Sequence, residues 1–412
     1  MTALRQLSDE LLSGHTSVDD VQPMAPRFLA EAIAAGAYFV SSFANVTAFD
    51  TDAGLVLVDT GSFLLADPTR KRLREQTKRP VHTAVWTHGH VDHCFGVELY
   101  ERESGKHVHV VAHEAVARRH ERYRMTRGWN QRINERQFAT AAQFPEQFRA
   151  ADQTFRDRLD VTVGGRRFEL HHALGETDDH AWVWVPDAGV LCTGDLFIWA
   201  SPNCGNPQKV QRFPREWAAA LREMAALGAE VLAPGHGVPI WGTAAVRRAL
   251  EETASLLESL VDQVVAAMNE GRTLDEILDR VRAPAGLLDR PYLSPIYDEP
   301  EFVVRNLYRL YGGWWDGNPA HLKPAREAAV ARELATLAGG AAVLATRARE
   351  LSAAGEDALA CELIELAAAA APDDRAIHQL RADLYGQRAK RERSLMARGV
   401  YGAAAESSRK RS

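Results

Sequence analysis

Cysteine is scarce in this chain: four in 412 residues, at Cys94, Cys192, Cys204 and Cys361, with no C-x-x-C pair. That is too sparse for a disulfide scaffold and suits a reducing compartment. Long apolar runs are missing as well. None approaches the roughly 18 residues that a membrane span requires, and the opening Met1 to Asp20 is polar and acidic, without a basic-then-apolar leader. Nor is there a surplus of positive charge: 49 Lys and Arg stand against 55 Asp and Glu, a net charge of −6. This favours solubility and argues against a general nucleic-acid binder. The expectation is a cytoplasmic protein with neither membrane nor nucleic acid as partner. What is present is an ordinary soluble composition, 46% hydrophobic and 25% charged. The length suits about two to three domains with real cores.

Histidine is the informative residue. Three of the 15 fall within Thr87-His88-Gly89-His90-Val91-Asp92-His93, directly after an apolar run, Val81 to Trp86, that reads as a buried strand. Polar side chains in the loop at a strand's carboxyl end are where α/β sites tend to form. Neutral imidazole is the commonest metal ligand, and a carboxylate among imidazoles suits a divalent cation such as zinc.

This stretch resembles the H-x-H-x-D-H signature of the metallo-β-lactamase superfamily at every defined position. The resemblance implies that His88 and His90 bind one metal, and Asp92 and His93 a second. The preceding residues agree. A strand pair, Ala44 to Phe49 and Leu55 to Val58, reads as a hairpin around Asp50-Thr51-Asp52-Ala53-Gly54 and runs into Asp59-Thr60-Gly61. A D-T-G in this place is similar to the family's, where the Asp orients the metal loop; a helix N-cap with a tight turn is equally compatible. Asp59 is therefore expected to support and not to ligate. Upstream, Phe28 to Ala35 reads as a short helix closed by Gly36, and downstream a basic helix is expected from about Asp67 to Lys78.

After the motif, His107 and His109 alternate along a strand, with His113 close behind. Solvent-facing strand positions explain them more simply than ligation. From Arg118 to Arg136 the chain is strongly basic, with Arg118, Arg119, Arg122, Arg124, Arg127, Arg132 and Arg136 among Tyr123, Trp129 and Phe138. Two readings fit: a solvated helical face, or a lid offering guanidinium groups to an anionic substrate.

A turn at Gly164-Gly165 leads to His171-His172-Ala173-Leu174-Gly175-Glu176-Thr177-Asp178-Asp179-His180, then two further strands and Thr193-Gly194-Asp195. The superfamily usually carries G-H-T at the first place, so Glu176 stands where a His is expected. A carboxylate still binds zinc but is harder and more tolerant of oxygen-loving metals. The third ligand of the first metal is Glu176 or, from the same loop, His180. Asp195 matches the residue that bridges both metals in the family. The turn Pro234-Gly235-His236-Gly237, after a helix at Glu216 to Leu227 and a strand at Glu230 to Ala233, places His236 as the last ligand of the second site. The resemblance thus implies two Zn2+ per chain held by His88, His90 and Glu176, by Asp92, His93 and His236, and by Asp195 between them. Asp92 and Asp195 take the catalytic places, and a metal-bridging hydroxide is the nucleophile. Cys94 is expected to pack in the core.

From about Ala244 the composition is helical and Ala-rich, interrupted by Pro284, Pro291, Pro295 and Pro300. The segment Tyr311 to Pro319 resembles the G-W-x-D-G-N-P motif of the alkylsulfatase dimerisation domain through Gly313, Trp314, Asp316, Gly317, Asn318 and Pro319. Adjacent Trp314 and Trp315 are costly to expose, so one of them is expected at an interface or in a pocket. Residues Gly355 to Gln387 read as an antiparallel helix pair around Ala371-Pro372-Asp373-Asp374. Alkylsulfatases also use Glu where the superfamily has His, which makes Glu176 a match. The sterol-carrier-like domain that binds the alkyl tail in the best-known members has no counterpart in these residues, which puts long-chain surfactant sulfates in doubt but not a dimeric two-metal hydrolase.

The reading is an α/β protein: an αββα metallo-β-lactamase sandwich over residues 1–245 and an all-α dimerisation domain over 246–412, forming a homodimer. The expected activity is hydrolysis of a small anionic ester, a sulfate ester first, with Arg212, Lys209 and Tyr311 as substrate contacts. Thioester or lactone hydrolysis of the glyoxalase II type is the second reading, and a non-catalytic scaffold with structural metal the third.

Overall fold

The computed structural model describes residues 2–412. Seven strands form the first sheet in the order β1 (Ala30–Ala34), β2 (Ala37–Val40), β3 (Val46–Thr51), β4 (Gly54–Val58), β5 (Val81–Val85), β6 (His109–His113) and β7 (Gln153–Phe155). The first four pair antiparallel and β4 to β7 pair parallel. A second sheet holds β8 (Arg158–Val163), β9 (Arg166–His172), β10 (Ala181–Val185), β11 (Val190–Ile198), β12 (Val231–His236) and β13 (Ile240–Trp241). Only β11 and β12 run parallel there.

Strand alternation explains why the sheets stack. In β4 every residue is buried: Val56 and Val58 face the second sheet, while Leu55 and Leu57 face a separate cluster with Leu73, Trp86, Val97 and Tyr100. Such two-sided burial needs cover on both faces, and it explains the unbroken apolar run. Phe49 of β3 meets Phe168 of β9 edge-on across the interior, their ring centroids 5.6 Å apart. On the far side of the second sheet, helix Pro214–Ala225 buries Trp217, Leu221 and Met224, and helix Thr243–Asn269 buries a stripe from Val246 to Val264. The expected αββα sandwich forms.

The helix expected at Phe28 to Ala35 does not. Residues Ala30–Ala34 are an edge strand paired with β2, and Gly36, at φ +64°, makes the hairpin turn instead of a helix stop. The Ala-rich composition favoured helix locally, but pairing with β2 and burial of Ile33 override it.

The chain divides into two compact units. One contains the residues up to Arg127 and Phe144–Gly313; the other contains Gly128–Gln143 and Trp314–Ser412. Helices Thr243–Asn269 and Pro300–Gly312 therefore belong with the sandwich, and residues 245/246 mark a change of composition more than the edge of a unit. In the second unit, helices Glu327–Ala338, Ala341–Ala353, Asp357–Ala370, Arg375–Arg391 and Leu395–Arg409 pack around Leu344, Ala348, Ile364, Ala367, Ile377 and Leu384. Its most exposed large side chains include Trp314 at 72% and Leu337 at 83%. No single helix among the described residues is long and apolar enough to cross a membrane.

Candidate metal centre

Asp59, Thr87 and His88–His93 follow the carboxyl ends of β4 and β5, Glu176–His180 links β9 to β10, Asp195 lies in β11, and His236 ends β12. The fold therefore delivers donors from four separate segments to one place. Asp59 holds the first of these in shape. Its carboxylate accepts the Thr87 N–H at 2.8 Å and the Thr87 hydroxyl at 2.9 Å, and lies 2.7 Å from His93 Nδ1. A non-glycine residue at φ +59° is uncommon, but Asp tolerates it. The supporting role expected of Asp59 is what the geometry shows.

Seven side chains then fall into two groups, His88, His90, Glu176 and Asp195, and Asp92, His93 and His236, with the donor atoms of each group within 4.8 Å of one another. His88 Nε2 and His90 Nδ1 are 2.8 Å apart, and Glu176 Oε2 lies 3.6 and 3.5 Å from them. Asp195 presents Oδ1 to His93 Nε2 at 3.3 Å and Oδ2 to His236 Nε2 at 3.3 Å and His88 Nε2 at 3.8 Å, so it faces both groups. His236 Nδ1 is committed to the Phe43 carbonyl, which turns Nε2 inward. Gly235 is needed for close approach: a Cβ there would lie 2.2 Å from Asp195 Oδ1. Gly237 supplies the bend, at φ +98°.

The residues fit a cation. His93 Nε2, Glu176 Oε2 and Asp195 Oδ1 are buried donor atoms without a hydrogen-bond partner, all aimed at the same interior. Orphaned buried polar atoms are costly and call for an occupant. Burial, aided by the neighbouring imidazoles, pushes His88 far below the ordinary histidine range; burial and the Arg119 charge do the same to His90. Both stay neutral and keep lone pairs available. Burial works against charge on His93 and His236 too, but Asp195 and the other carboxylates outweigh it and raise both. Burial lifts Glu176 to about 7 although Arg212 pulls the other way.

His180 is not in either group. Its Nε2 accepts the Asp195 N–H at 3.1 Å and its ring stacks on His88, with centroids 4.6 Å apart. Glu176, not His180, completes the first group. Arg212 is buried and donates to Glu176 Oε1 and the Asn203 carbonyl, while Asn203 Nδ2 also donates to Glu176. Arg212 Nε is left without a partner. Lys209 is half-buried near the cluster, and burial with the Arg212 charge pushes its ammonium down to about 8. Tyr311 is elsewhere: it is 44% exposed, and its charged neighbours are Glu216 and Arg215. Tyr297 is the tyrosine that feels Glu176, Asp92 and Asp195. It was not legible in advance because it sits in a Pro-rich connection with no spacing signal.

Of the basic segment, Arg119 is neither solvated nor a lid. It is buried against Asp179 at 2.8 Å and also contacts Asp178. Arg118, Arg124 and Arg132 are exposed, as a solvated face requires. His107 is exposed beside Glu101 and Asp152, His109 meets Gln153, and His113 is buried in a stack on His172. None is a ligand candidate in the two groups. Cys94 is buried, and its thiol donates to the His90 carbonyl.

Comparison with known proteins agrees with this geometry. The sequence profile of the metallo-beta-lactamase superfamily matches residues 41–236, and that of alkyl sulfatase dimerisation matches residues 273–411. A linear primary-alkylsulfatase of Pseudomonas sp. is 30% identical over 358 residues, covering 80% of this chain and 67% of the relative. An (R)-specific secondary-alkylsulfatase of Pseudomonas sp. is 27% identical over 391 residues, covering 87% and 59%. The solved structure of the stereoselective inverting sec-alkylsulfatase Pisa1 from Pseudomonas sp. superposes with a TM-score of 0.83 at 25% identity, covering 92% of this chain and 65% of that one. This chain thus spans only 59 to 67% of these relatives' own lengths. With a Glu-containing cluster of candidate metal ligands in a two-sheet sandwich and a helical unit that matches the dimerisation profile, the chain belongs to the alkylsulfatase family of the metallo-beta-lactamase superfamily.

Proposed function

We propose that this protein is a hydrolase of small sulfate esters that uses two zinc ions, with His88, His90 and Glu176 at one, Asp92, His93 and His236 at the other, and Asp195 shared. The observation that carries the reading is the convergence of seven donors in two groups, with three buried donor atoms left over, next to the cationic pair Arg212 and Lys209. Divalent cations held there supply Lewis acidity and a water acid enough to ionise near neutral pH. The protein's own groups do the rest. Asp195 and Asp92 bring negative charge between the imidazoles, which would hold a metal in their neutral form, and Arg212 fixes the Glu176 carboxylate. Lys209 and the unpartnered Arg212 N–H offer donors to an anionic ester, for which guanidinium and ammonium groups are suited. Water adds and the ester divides into an alcohol and hydrogen sulfate, so no other co-reactant is needed.

A purely structural metal is disfavoured because the relatives this chain resembles are alkylsulfatases. Nothing in the geometry selects thioesters or lactones over sulfate esters. The decisive assay is release of inorganic sulfate from a panel of alkyl sulfates, run beside thioesters and lactones. Sulfate release that is lost on chelation supports the reading; hydrolysis of thioesters alone overturns it. Turnover in isotope-labelled water reports which bond breaks, since the label enters the alcohol if C–O is cleaved and the sulfate if S–O is cleaved.

The proposed assembly is a homodimer through the helical unit. Helix Glu327–Ala338 turns Ala331 and Ala335 into its own core and leaves Val330, Leu334 and Leu337 exposed at i, i+4 and i+7. Large apolar residues outside and small ones inside is the pattern of a face that a partner covers.

A further inference from the structure

The segment that carries Glu176 also carries two buried side chains that no ligand role uses. Asp179 accepts the Gly89 N–H on Oδ2 at 3.0 Å, and Gly89 lies between His88 and His90. Asp179 is itself gripped by Arg119 Nε at 2.8 Å. The next residue, His180, accepts the N–H of Asp195 at 3.1 Å. Asp179 and His180 have no exposed surface, and Arg119 has 2%. The fit is tight on both sides. A Cβ on Gly89 would meet Asp179 Oδ2 at 2.9 Å, Arg119 Cδ at 3.1 Å and His120 Nε2 at 3.2 Å, and one on Gly194 would meet His180 Cε1 at 2.7 Å.

We propose that Asp179 and His180 are positioning residues that hold the His88–His90 loop against the shared ligand Asp195, Asp179 (anchored by Arg119) through the Gly89 N–H and His180 through the Asp195 N–H. The inference rests on the two-metal reading above. A buried ion pair is weak evidence for stability as such, because apolar residues of the same volume often serve as well. Here, however, the polar atoms are spent on backbone N–H groups in the ligand-bearing segments, that of Gly89 between His88 and His90 and that of Asp195. An imidazole accepting through Nε2 carries its proton on Nδ1, which fixes its tautomer, and stacking on His88 fixes its plane. Burial works against charge on Asp179, but the Arg119 guanidinium outweighs it and holds the carboxyl down to about 2, so the carboxylate is charged at neutral pH. Partners just outside the ligands typically affect metal affinity or activity by roughly 10–100-fold.

The test uses the full chain with His180→Phe, which keeps a ring against His88 but removes the acceptor, and His180→Gln, which restores an acceptor without the ring. Asp179→Asn and Arg119→Lys probe the other arm. Zinc affinity is measured by competition with a chromogenic chelator, the visible spectrum of the cobalt-loaded protein reports coordination geometry, and thermal unfolding of the metal-free protein reports the scaffold. The expected result is roughly 10–100-fold weaker zinc binding and an altered cobalt spectrum in His180→Phe and Asp179→Asn, with partial recovery in His180→Gln and Arg119→Lys. Unchanged affinity and spectrum would overturn the proposal, even if the metal-free variants melt earlier, because that is what a purely structural role produces. If Asp179→Asn does not fold, the His180 pair decides alone. Failure of the unaltered protein to bind zinc would overturn the two-metal reading and this inference with it. Zinc binding by the parent and equally by the variants would overturn this inference only.

Discussion

Asp59 Oδ2 lies 2.7 Å from His93 Nδ1, and its other oxygen holds the Thr87 N–H, so one carboxylate orients an imidazole and ties down the start of its loop. With Nδ1 committed, His93 directs Nε2 toward Asp195 and Asp92. Asp59→Asn keeps the left-handed backbone but offers His93 a weaker, uncharged partner. It is expected to lower metal affinity or turnover by roughly 10–100-fold, measured by chelator competition and steady-state kinetics.

The two groups of donors make separate predictions. His236→Ala and Asp92→Ala remove donors from one group and are expected to abolish turnover while leaving about one metal per chain where the parent holds two. Elemental analysis of the purified variants reads the count. Full activity in either variant would contradict the two-metal arrangement.

Arg212 is buried and salt-bridged to Glu176. Arg212→Met leaves a buried carboxylate with less compensation, and breaking such a pair typically costs about 3–5 kcal/mol. Glu176, already lifted to about 7, is then expected to hold its proton at neutral pH and to stop serving as a ligand. The first metal should therefore be lost more readily from this variant as the pH falls, which a chelator competition series between pH 6 and 9 checks.

Asp298 gives a pH prediction away from the ligands. It is fully buried, accepts the Gly205 N–H at 2.6 Å and the Glu299 N–H at 2.8 Å, and burial raises it from 3.8 to about 7. A carboxyl whose folded value exceeds its unfolded value binds its proton more tightly when folded. Its contribution to stability is full below about pH 4 and is lost as the pH rises to about 7. Thermal midpoints of the metal-free protein should fall across that window, and Asp298→Asn should flatten the trend.

The exposed face of helix Glu327–Ala338 predicts an oligomer. Leu334→Glu and Leu337→Glu place charge where a partner would cover apolar surface, and are expected to shift the protein to monomers in sedimentation or light-scattering measurements without unfolding it.

Much of this was legible in the sequence. The run His88 to His93 stands out by its own density of imidazoles, Thr193-Gly194-Asp195 and the turn around His236 are legible through their resemblance to the superfamily's motifs, and their strands announce themselves through apolar runs that a two-sided sheet requires. Local patterns suffice there because each ligand is fixed by its own turn. Three things needed the tertiary structure. Ala30–Ala34 became a strand because a neighbouring strand pays for its hydrogen bonds, which no window of composition reports. Glu176 rather than His180 reached the cluster because the Asp195 backbone occupies His180 Nε2, a contact across 15 residues between neighbouring strands. Arg119 became a buried anchor instead of a lid because its partner, Asp179, is 60 residues away. Local chemistry decides which residues can bind a metal. Long-range packing decides which lone pairs are still free to do so.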